Sequence, residues 1–211
     1  MAEYTLYCFA ESGNSYKAAL MLALTGADWA PEWVDYFGGQ TRSASFRHDV
    51  SEIGEVPVLN HGGELISQSG VILDYLAERT GMFGARNAAH RREIWRWILF
   101  DNHKFTSYFA TLRFLAGLQK AGDPAVIAFL RQRVEASRVI VENHLAGQPF
   151  LAGDEPTIAD ISAVGYLYYP EHAGVELDAT PNIEAWTQRI ASLPGWRPPY
   201  ELMPRGPVAS R

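Results

Sequence analysis

The residues with the clearest chemical potential lie together at positions 11–17, Glu-Ser-Gly-Asn-Ser-Tyr-Lys. Ser12, Asn14 and Ser15 bring two hydroxyls and an amide to the point where an apolar run gives way to a helical pattern. Such side chains commonly cap a helix by accepting a hydrogen bond from its first N–H groups. The same groups could form a binding site, because a helix N-terminus attracts anions. The residues alone leave both interpretations open.

The first 80 residues alternate strand and helix patterns around this turn. Alternating residues rich in Tyr and Phe favour a strand, and apolar residues at helical spacing favour a helix. Gly26 and Gly81 each follow a helical run and are typical stop signals. The resulting order is β-α-β-α-β-β-α, with strands at 4–10, 32–36, 56–59 and 64–66, helices at 15–25 and 69–80, and a loop carrying a short helix at 37–53.

After Gly81 every periodic segment is helical. Thr157 and Asp160 have the spacing of a capping box, and Pro124 suits a first helical turn. The segment from 157 is apolar on nearly all sides, which is typical of a buried helix. The predicted helices span 91–120, 124–145, 157–169 and 181–193, before a tail rich in Pro and Gly. The sequence therefore predicts a small α/β domain at 1–80 and an all-helical domain at 88–211.

The composition narrows the classes of partner. The net charge of the chain is −6, divided into −7 over residues 1–80 and +1 over the remainder. Neither part has a basic stripe suited to phosphates, so nucleic-acid binding is disfavoured. A single cysteine excludes an intrachain disulfide framework. With no apolar run near ~18 residues, we expect a cytoplasmic protein without a membrane partner.

Four local motifs, taken with this element order, resemble the cytosolic glutathione transferase family. The turn Ser12-Gly13-Asn14-Ser15 resembles the Ser/Thr-x-Asn turn of several bacterial members. Gly54-Glu55-Val56-Pro57-Val58-Leu59 is similar to the family pattern G-x-V-P-x-L. Gln68-Ser69-Gly70-Val71-Ile72-Leu73-Asp74-Tyr75-Leu76 is similar to E/Q-S-x-A-I-x-x-Y-L, and Thr157-Ile158-Ala159-Asp160 to T-x-A-D.

The resemblance implies a thioredoxin-like N-terminal domain, a helical C-terminal domain, a homodimer, and glutathione as the bound thiol, with no metal. Redox relatives of this fold carry Cys-x-x-Cys where Ser12 and Ser15 stand, so here the thiol comes from outside. It also implies that Ser12, with Asn14, stabilises the glutathione thiolate. A hydroxyl donor and a helix N-terminus both favour the charged form of a thiol whose ordinary pKa is ~8.5. Whether Ser12 or Asn14 faces the sulfur stays open.

The second and third motifs imply the rest of the glutathione site. A cis Val56-Pro57 bond would direct the Val56 backbone toward the cysteinyl backbone, and Ser69 would hold the γ-glutamyl carboxylate at a helix N-terminus. Two positions depart from the family. Many relatives carry an acid at the place of Gln68 to pair with the γ-glutamyl ammonium, and a basic or neutral residue at the place of Glu55. Glu55 is expected to repel the glycyl carboxylate, and Arg42 is the candidate to bind it.

The first long helix of the second domain supplies the remaining candidates. Asp101 lies on an apolar face, and in some relatives an acid there reaches across the dimer to the ligand's ammonium. Phe105 and Tyr108 are candidates for the electrophile pocket that family geometry places on this helix. Aromatic residues at helical spacing are also typical of a core, and an ion pair is the alternative for Asp101.

The function expected from the resemblance is conjugation of glutathione to small hydrophobic electrophiles. A glutathione-dependent disulfide reductase or peroxidase is the alternative that uses the same thiolate. Isomerase relatives usually have Ser-x-Cys at the turn, and the corresponding residue here is Asn14. A ligand-binding member without activity is a third possibility, because Glu55 and Gln68 would both weaken glutathione affinity.

Overall fold

The computed structural model of the chain describes residues 2–169 and 180–207. The chain divides into two compact units, Met1–Met82 with Pro194–Arg211, and Phe83–Leu193. Residues 170–179 and 208–211 of the predicted second domain lie outside the described residues.

The first unit contains a four-stranded sheet in the order β2-β1-β3-β4. β1 pairs in parallel with β2 and antiparallel with β3, and β3 pairs antiparallel with β4. This mixed sheet and its helices confirm the predicted β-α-β-α-β-β-α order. The elements are β1 (Tyr4–Cys8), α1 (Gly13–Leu24), β2 (Trp29–Trp33), α2 (Ala44–Asp49), β3 (Val58–His61), β4 (Glu64–Ser67) and α3 (Ser69–Thr80).

One end of this sheet gathers the segments that carry the sequence motifs. Tyr7 of β1 pairs with Val58 at the start of β3, and Val58 pairs with Ser67 at the end of β4. Cys8 at the end of β1 lies opposite Trp33 at the end of β2. The turn into α1, the loop after β2, the turn before β3 and the turn into α3 therefore all leave the sheet at the same end.

The segment from residue 194 packs against α1 instead of joining the helical unit, so the predicted assignment of this tail to the second domain is wrong. The buried Tyr16 hydroxyl donates to the Arg197 carbonyl at 2.8 Å. Gly195 has φ +88°, and a Cβ there would lie 2.4 Å from the Ala23 carbonyl oxygen. Only a glycine permits this approach. A short helix, Pro199–Leu202, completes the described part of the tail.

The second unit is helical. The predicted single helix at 91–120 is instead a helical run that includes two π-helical segments, Asp101–Phe105 and Arg113–Leu118. Leu112, Leu130 and Val134 lie in the core of this unit. Its α-helices are α4 (Ala88–Phe100), α5 (Thr106–Leu112), α6 (Pro124–Leu145), α7 (Ile158–Ala163) and α8 (Pro181–Ala191).

Asp160 anchors the start of α7 through the predicted capping box, which is confirmed. The Thr157 side chain accepts from the first turn of the helix, and Asp160 accepts from the Thr157 N–H at 2.8 Å. The fully buried carboxylate also accepts from the Leu151 N–H at 2.8 Å and the Trp186 indole at 2.9 Å. Asp160 thus ties α7, α8 and the preceding loop together. Among the helices described, none is long and apolar enough to span a bilayer.

Candidate functional site

Ser12 is the N-cap of α1. Its Oγ accepts a hydrogen bond from the Ser15 N–H at 3.1 Å, and its backbone is extended, as a capping residue requires. Only 7% of Ser12 is exposed. Because the cap uses Oγ as an acceptor, the hydroxyl hydrogen remains able to donate, and among the described residues it has no acceptor.

The first turn of α1 presents further unpaired donors. The N–H groups of Gly13 and Asn14 have no acceptor among the described residues, as is usual for the first N–H groups of a helix. The Asn14 Oδ1 is buried and makes no hydrogen bond within that part of the chain. Its Nδ2 is therefore the outward end of the amide. The turn concentrates donors and the positive end of the helix dipole, which suits an anion.

Ser15 differs from Ser12 although it belongs to the same turn. The Ser15 side chain is fully buried, and its Oγ has no hydrogen-bond partner in the described chain. Its N–H is the group that Ser12 caps. The sequence brings both hydroxyls to the helix start, but Ser12 keeps 7% of its surface exposed whereas Ser15 keeps none.

Val56 and Pro57 form the turn that leads into β3, and their peptide bond is cis, as the resemblance implies. Neither the N–H nor the carbonyl of Val56 has a partner among the described residues. Gly54, two residues earlier, has φ +73°, and a Cβ there would lie 2.8 Å from the Thr41 carbonyl. Glycine at this position lets the loop before α2 lie directly against the turn, which leaves the Val56 backbone available to pair with an extended ligand.

Arg47 is the basic side chain that lies at this turn, and the sequence interpretation missed it. A Cβ on Gly54 would meet an Arg47 guanidinium nitrogen at 2.9 Å. The candidate Arg42 instead folds over its own loop, where a Cβ on Gly39 would meet its guanidinium at 2.7 Å. Both arginines are exposed. No local sequence signal distinguishes them, because the contact with Gly54 is tertiary.

Gln68 and Ser69 form the turn from β4 into α3. Gln68 has φ +70°, which is uncommon for a residue with a side chain. Ser69 is the first residue of α3 and is 8% exposed. Its hydroxyl and its N–H have no partner among the described residues, so this helix start also offers donors to an anion.

The two residues that depart from the family pattern contact each other. The Gln68 Nε2 donates to a Glu55 carboxylate oxygen at 3.3 Å. The Glu55 side chain thus turns toward the start of α3. Neither residue shows this pairing in the sequence, where they are separated by a whole hairpin.

The carboxylate of Asp101, a predicted ligand contact, is enclosed by hydroxyl groups of its own unit. Asp101 is 1% exposed in a single chain and accepts hydrogen bonds from the Thr106 hydroxyl and, at 2.7 Å, from the Ser162 hydroxyl. A carboxylate enclosed in this way holds its own unit together, and its contact with a ligand stays a prediction. Ser162 is far from Asp101 in the chain, so the helical pattern alone could not reveal this partner.

The two predicted pocket aromatics differ in accessibility. Phe105 is 4% exposed and packs in the interior of the helical unit, so its assignment to an electrophile pocket stays a prediction. Tyr108 is half-buried and packs beside a core cluster that includes Phe109 and Leu112. Of the two, only Tyr108 retains surface for a ligand.

Cys8 cannot serve as the reactive thiol of this site. Its side chain is fully buried at the end of β1. Burial, with a smaller contribution from Glu32, raises the pKa of the Cys8 thiol to about 12. Over the described part of the chain, no cluster of three or more His, Cys, Asp or Glu side chains could hold a metal ion. The chemistry that this site favours is binding of an external anion at α1.

Comparison with protein families gives two adjacent matches. Residues 2–78 match the glutathione S-transferase N-terminal domain, and residues 107–194 match the C-terminal domain. Between them the two matches cover most of the chain, in the family's own domain order. The N-terminal match explains the mixed sheet of the first unit, which is the thioredoxin-like domain of this family.

Individual relatives carry different activities in their names. A disulfide-bond oxidoreductase, YfcG, from Escherichia coli is 28% identical over 88% of this chain and 89% of its own length. A maleylacetoacetate isomerase from Pseudomonas aeruginosa is 29% identical over 91% and 93%. A glutathione S-transferase crystal structure from Xanthobacter autotrophicus is 33% identical, covers 96% of this chain and 97% of its own, and superposes with a TM-score of 0.86.

Proposed function

This chain belongs to the glutathione S-transferase family, and on that premise we propose that it conjugates the thiolate of glutathione to small hydrophobic electrophiles. The observation that carries the proposal is the start of α1. There the Ser12 oxygen caps the helix, and the hydroxyl hydrogen is available to donate to a ligand. The unpaired N–H groups of Gly13 and Asn14 lie beside it. An external thiol at this point gains a donor and the helix dipole, which both lower its pKa from ~8.5.

The remaining turns at the same end of the sheet account for the peptide portion of glutathione. The Val56 N–H and carbonyl are free to pair with the cysteinyl backbone. The Ser69 hydroxyl and N–H suit the γ-glutamyl carboxylate, and the Arg47 guanidinium at Gly54 suits the glycyl carboxylate. Arg47 takes the place that the sequence interpretation gave to Arg42.

In the reaction the thiolate sulfur attacks an electrophilic carbon and forms a carbon–sulfur bond. The electron pair goes to a leaving group or, in an addition, to a carbanion that water protonates. Ser12 and the first N–H groups of α1 act by stabilising the thiolate before the attack. No protein group is consumed, because glutathione supplies both the nucleophile and the proton that is released.

A glutathione-dependent disulfide reductase is the second candidate. It is favoured by the likeness to YfcG and by the Ser12-Gly13-Asn14 turn. The thiolate would attack a disulfide sulfur to give a mixed disulfide and a free thiol. A second glutathione would then release the other thiol and form oxidised glutathione.

Calorimetric titration with glutathione, followed by a co-substrate screen, tests the proposal. We expect heat of binding and a raised melting temperature at millimolar glutathione, and turnover of aryl halides or activated alkenes. Turnover of disulfides or hydroperoxides alone would favour the reductase. Binding without turnover of any class would leave a ligand-binding function, and an absence of binding would overturn all of these. The cytoplasm, where glutathione is kept reduced, is the compartment that we propose for this activity.

We also propose that the protein is a homodimer. Val126, Phe129 and Ile140 recur at helical spacing on α6 and remain 45%, 49% and 48% exposed in a single chain. Exposed apolar side chains on one face of a helix are typical of an interface. Sedimentation velocity should give a dimer for the unmodified protein and a monomer for Phe129→Lys. A monomeric unmodified protein would contradict the proposal.

A further inference from the structure

The side chains of Glu55 and Gln68 contact each other at the start of α3, where the Glu55 carboxylate carries a negative charge that no ion pair neutralises among the described residues. The Gln68 Nε2 donates to one Glu55 oxygen at 3.3 Å. Both side chains are exposed, and the other Glu55 oxygen has no partner among the described residues. No cation of the described chain forms an ion pair with this carboxylate. The charge is therefore available to a ligand.

The groups beside this carboxylate are hydrogen-bond donors. Ser69 directly follows Gln68 and begins a helix of 12 residues with a free hydroxyl and a free N–H. A helix start with such donors favours a carboxylate. An acceptor pair one residue away favours an ammonium group. A ligand that satisfies both carries a carboxylate and an ammonium on neighbouring atoms, which is the head group of an α-amino acid.

We propose that Glu55 binds the ammonium group of the γ-glutamyl head of the thiol substrate, with the Gln68 amide oxygen as a second acceptor. This assignment rests on the proposed function, because glutathione supplies the head group in question. A neutral Gln68 alone would provide only an uncharged hydrogen bond, roughly half as strong as one to a carboxylate. Glu55 restores the charge from a different segment of the chain.

The same geometry replaces the expectation that Glu55 repels the glycyl carboxylate. The Glu55 side chain contacts Gln68, whereas the guanidinium of Arg47 lies against Gly54. An acid at the γ-glutamyl end and a base at the glycyl end match the two ends of glutathione in charge. The specificity that follows is for thiols with a free α-amino group.

Calorimetric affinities of three thiols test this assignment: glutathione, N-acetylglutathione, which lacks the ammonium, and glutathione ethyl ester, which lacks the glycyl charge. Glu55→Gln preserves the shape of the side chain and removes its charge. We expect this substitution to lower the affinity for glutathione and for its ester by about fivefold to tenfold. It should leave the already weak N-acetyl derivative unchanged. Glu52→Gln, which removes an exposed charge nearby, should change none of the three.

The double variant Glu55→Gln with Gln68→Glu distinguishes a specific loss of charge from a general loss of stability. It moves the acid to the position that relatives use, so the affinity for glutathione should return to that of the unmodified protein. Equal losses for glutathione and its N-acetyl derivative in Glu55→Gln would overturn the assignment, and so would tighter binding of glutathione. If the unmodified protein binds none of the thiols, the proposed function fails together with this inference. If it binds glutathione and Glu55→Gln binds it equally well, only the inference fails.

Discussion

Substitutions at Ser12 separate its two roles, because capping needs an acceptor and thiolate stabilisation needs a donor. Ser12→Ala removes both. Ser12→Asp keeps a good capping acceptor but offers no hydrogen and adds a negative charge. Ser12→Thr keeps both functions. Each role therefore has a variant that lacks it and one that retains it.

The expected losses follow from the burial of the capped group. In Ser12→Ala the Ser15 N–H loses its acceptor at 3.1 Å, and Ser15 is fully buried, so water does not replace it. We expect the free energy of unfolding to fall by about 1–2 kcal/mol. For a chain of this size the melting temperature then falls by roughly 2–8 °C. Loss of a hydrogen bond to a charged sulfur should raise the pKa of the bound thiol by about 1 to 2.

The thiol pKa is measured from thiolate ultraviolet absorbance against pH in the glutathione complex, and stability is measured by thermal denaturation. Ser12→Asp should be nearly as stable as the unmodified protein, with a thiol pKa at least as high as that of Ser12→Ala. Ser12→Thr should resemble the unmodified protein in both respects. Ser15→Ala is the matched control, since it removes an unpartnered buried hydroxyl and should leave the thiol pKa unchanged. An unchanged thiol pKa in Ser12→Ala would refute the donor role and leave Asn14 or the helix start as the stabilising group.

Three further predictions concern other parts of the chain. Cys8 should resist alkylation in the folded protein throughout pH 7 to 9, because its side chain is fully buried and burial raises the pKa of its thiol, and it should react fully on unfolding; labelling under native conditions would contradict its burial. Asp160→Ala should lower the free energy of unfolding by about 3–5 kcal/mol, since it leaves four buried donors without their acceptor, whereas the exposed Asp154→Ala should have little effect in the same denaturant titration. In calorimetry, Arg47→Ala should weaken the binding of glutathione more than that of its glycyl ethyl ester, and Arg42→Ala should weaken the binding of neither. If Arg42→Ala had the larger effect on glutathione and Arg47→Ala had none, the glycyl carboxylate would be assigned to Arg42 again.

Helix boundaries could be predicted where the sequence supplies its own start and stop signals. The structure gives α3 the predicted bounds, Ser69–Thr80, and Gly81 ends it in the left-handed conformation. α6 also has the predicted bounds, because Asp123 caps it and Pro124 fits the first turn. Both helices are defined by residues within or next to them, and so is the capping box of α7.

Strand β2 was predicted three residues too late because its signal is weak. The observed strand Trp29–Trp33 contains Pro31, which cannot donate in a sheet. Within the described parts of the chain β2 is an edge strand paired with β1 alone, so a proline can be accommodated there. The predicted bounds of β2 rest on the positions of its apolar residues. The observed bounds are set by its parallel pairing with β1.

The candidate site was predictable as a set of turns, while the partners of its charged residues were not. Ser12, Val56 and Ser69 could be identified from short motifs that occur in family order. The contacts of Arg47 with Gly54 and of Glu55 with Gln68 depend on how separate segments meet at the end of the sheet. The enclosure of Asp101 by Ser162 is equally non-local. Charges are positioned by tertiary contacts, and those are the contacts that a motif does not contain.

The structure also explains why capping and thiolate stabilisation could not be separated at Ser12 from residue types alone. A hydroxyl accepts through its oxygen and donates through its hydrogen, so the two roles use different parts of one group. Asp, Asn, Ser and Thr all satisfy the cap, but a carboxylate cannot donate. A helix start that must also bind an anion therefore restricts the cap to side chains that both accept and donate. With Ser12 as the cap, the hydrogen bond from Ser15 fixes the oxygen and leaves the hydroxyl hydrogen for the ligand. Capping is therefore compatible with the thiolate stabilisation that we propose for Ser12.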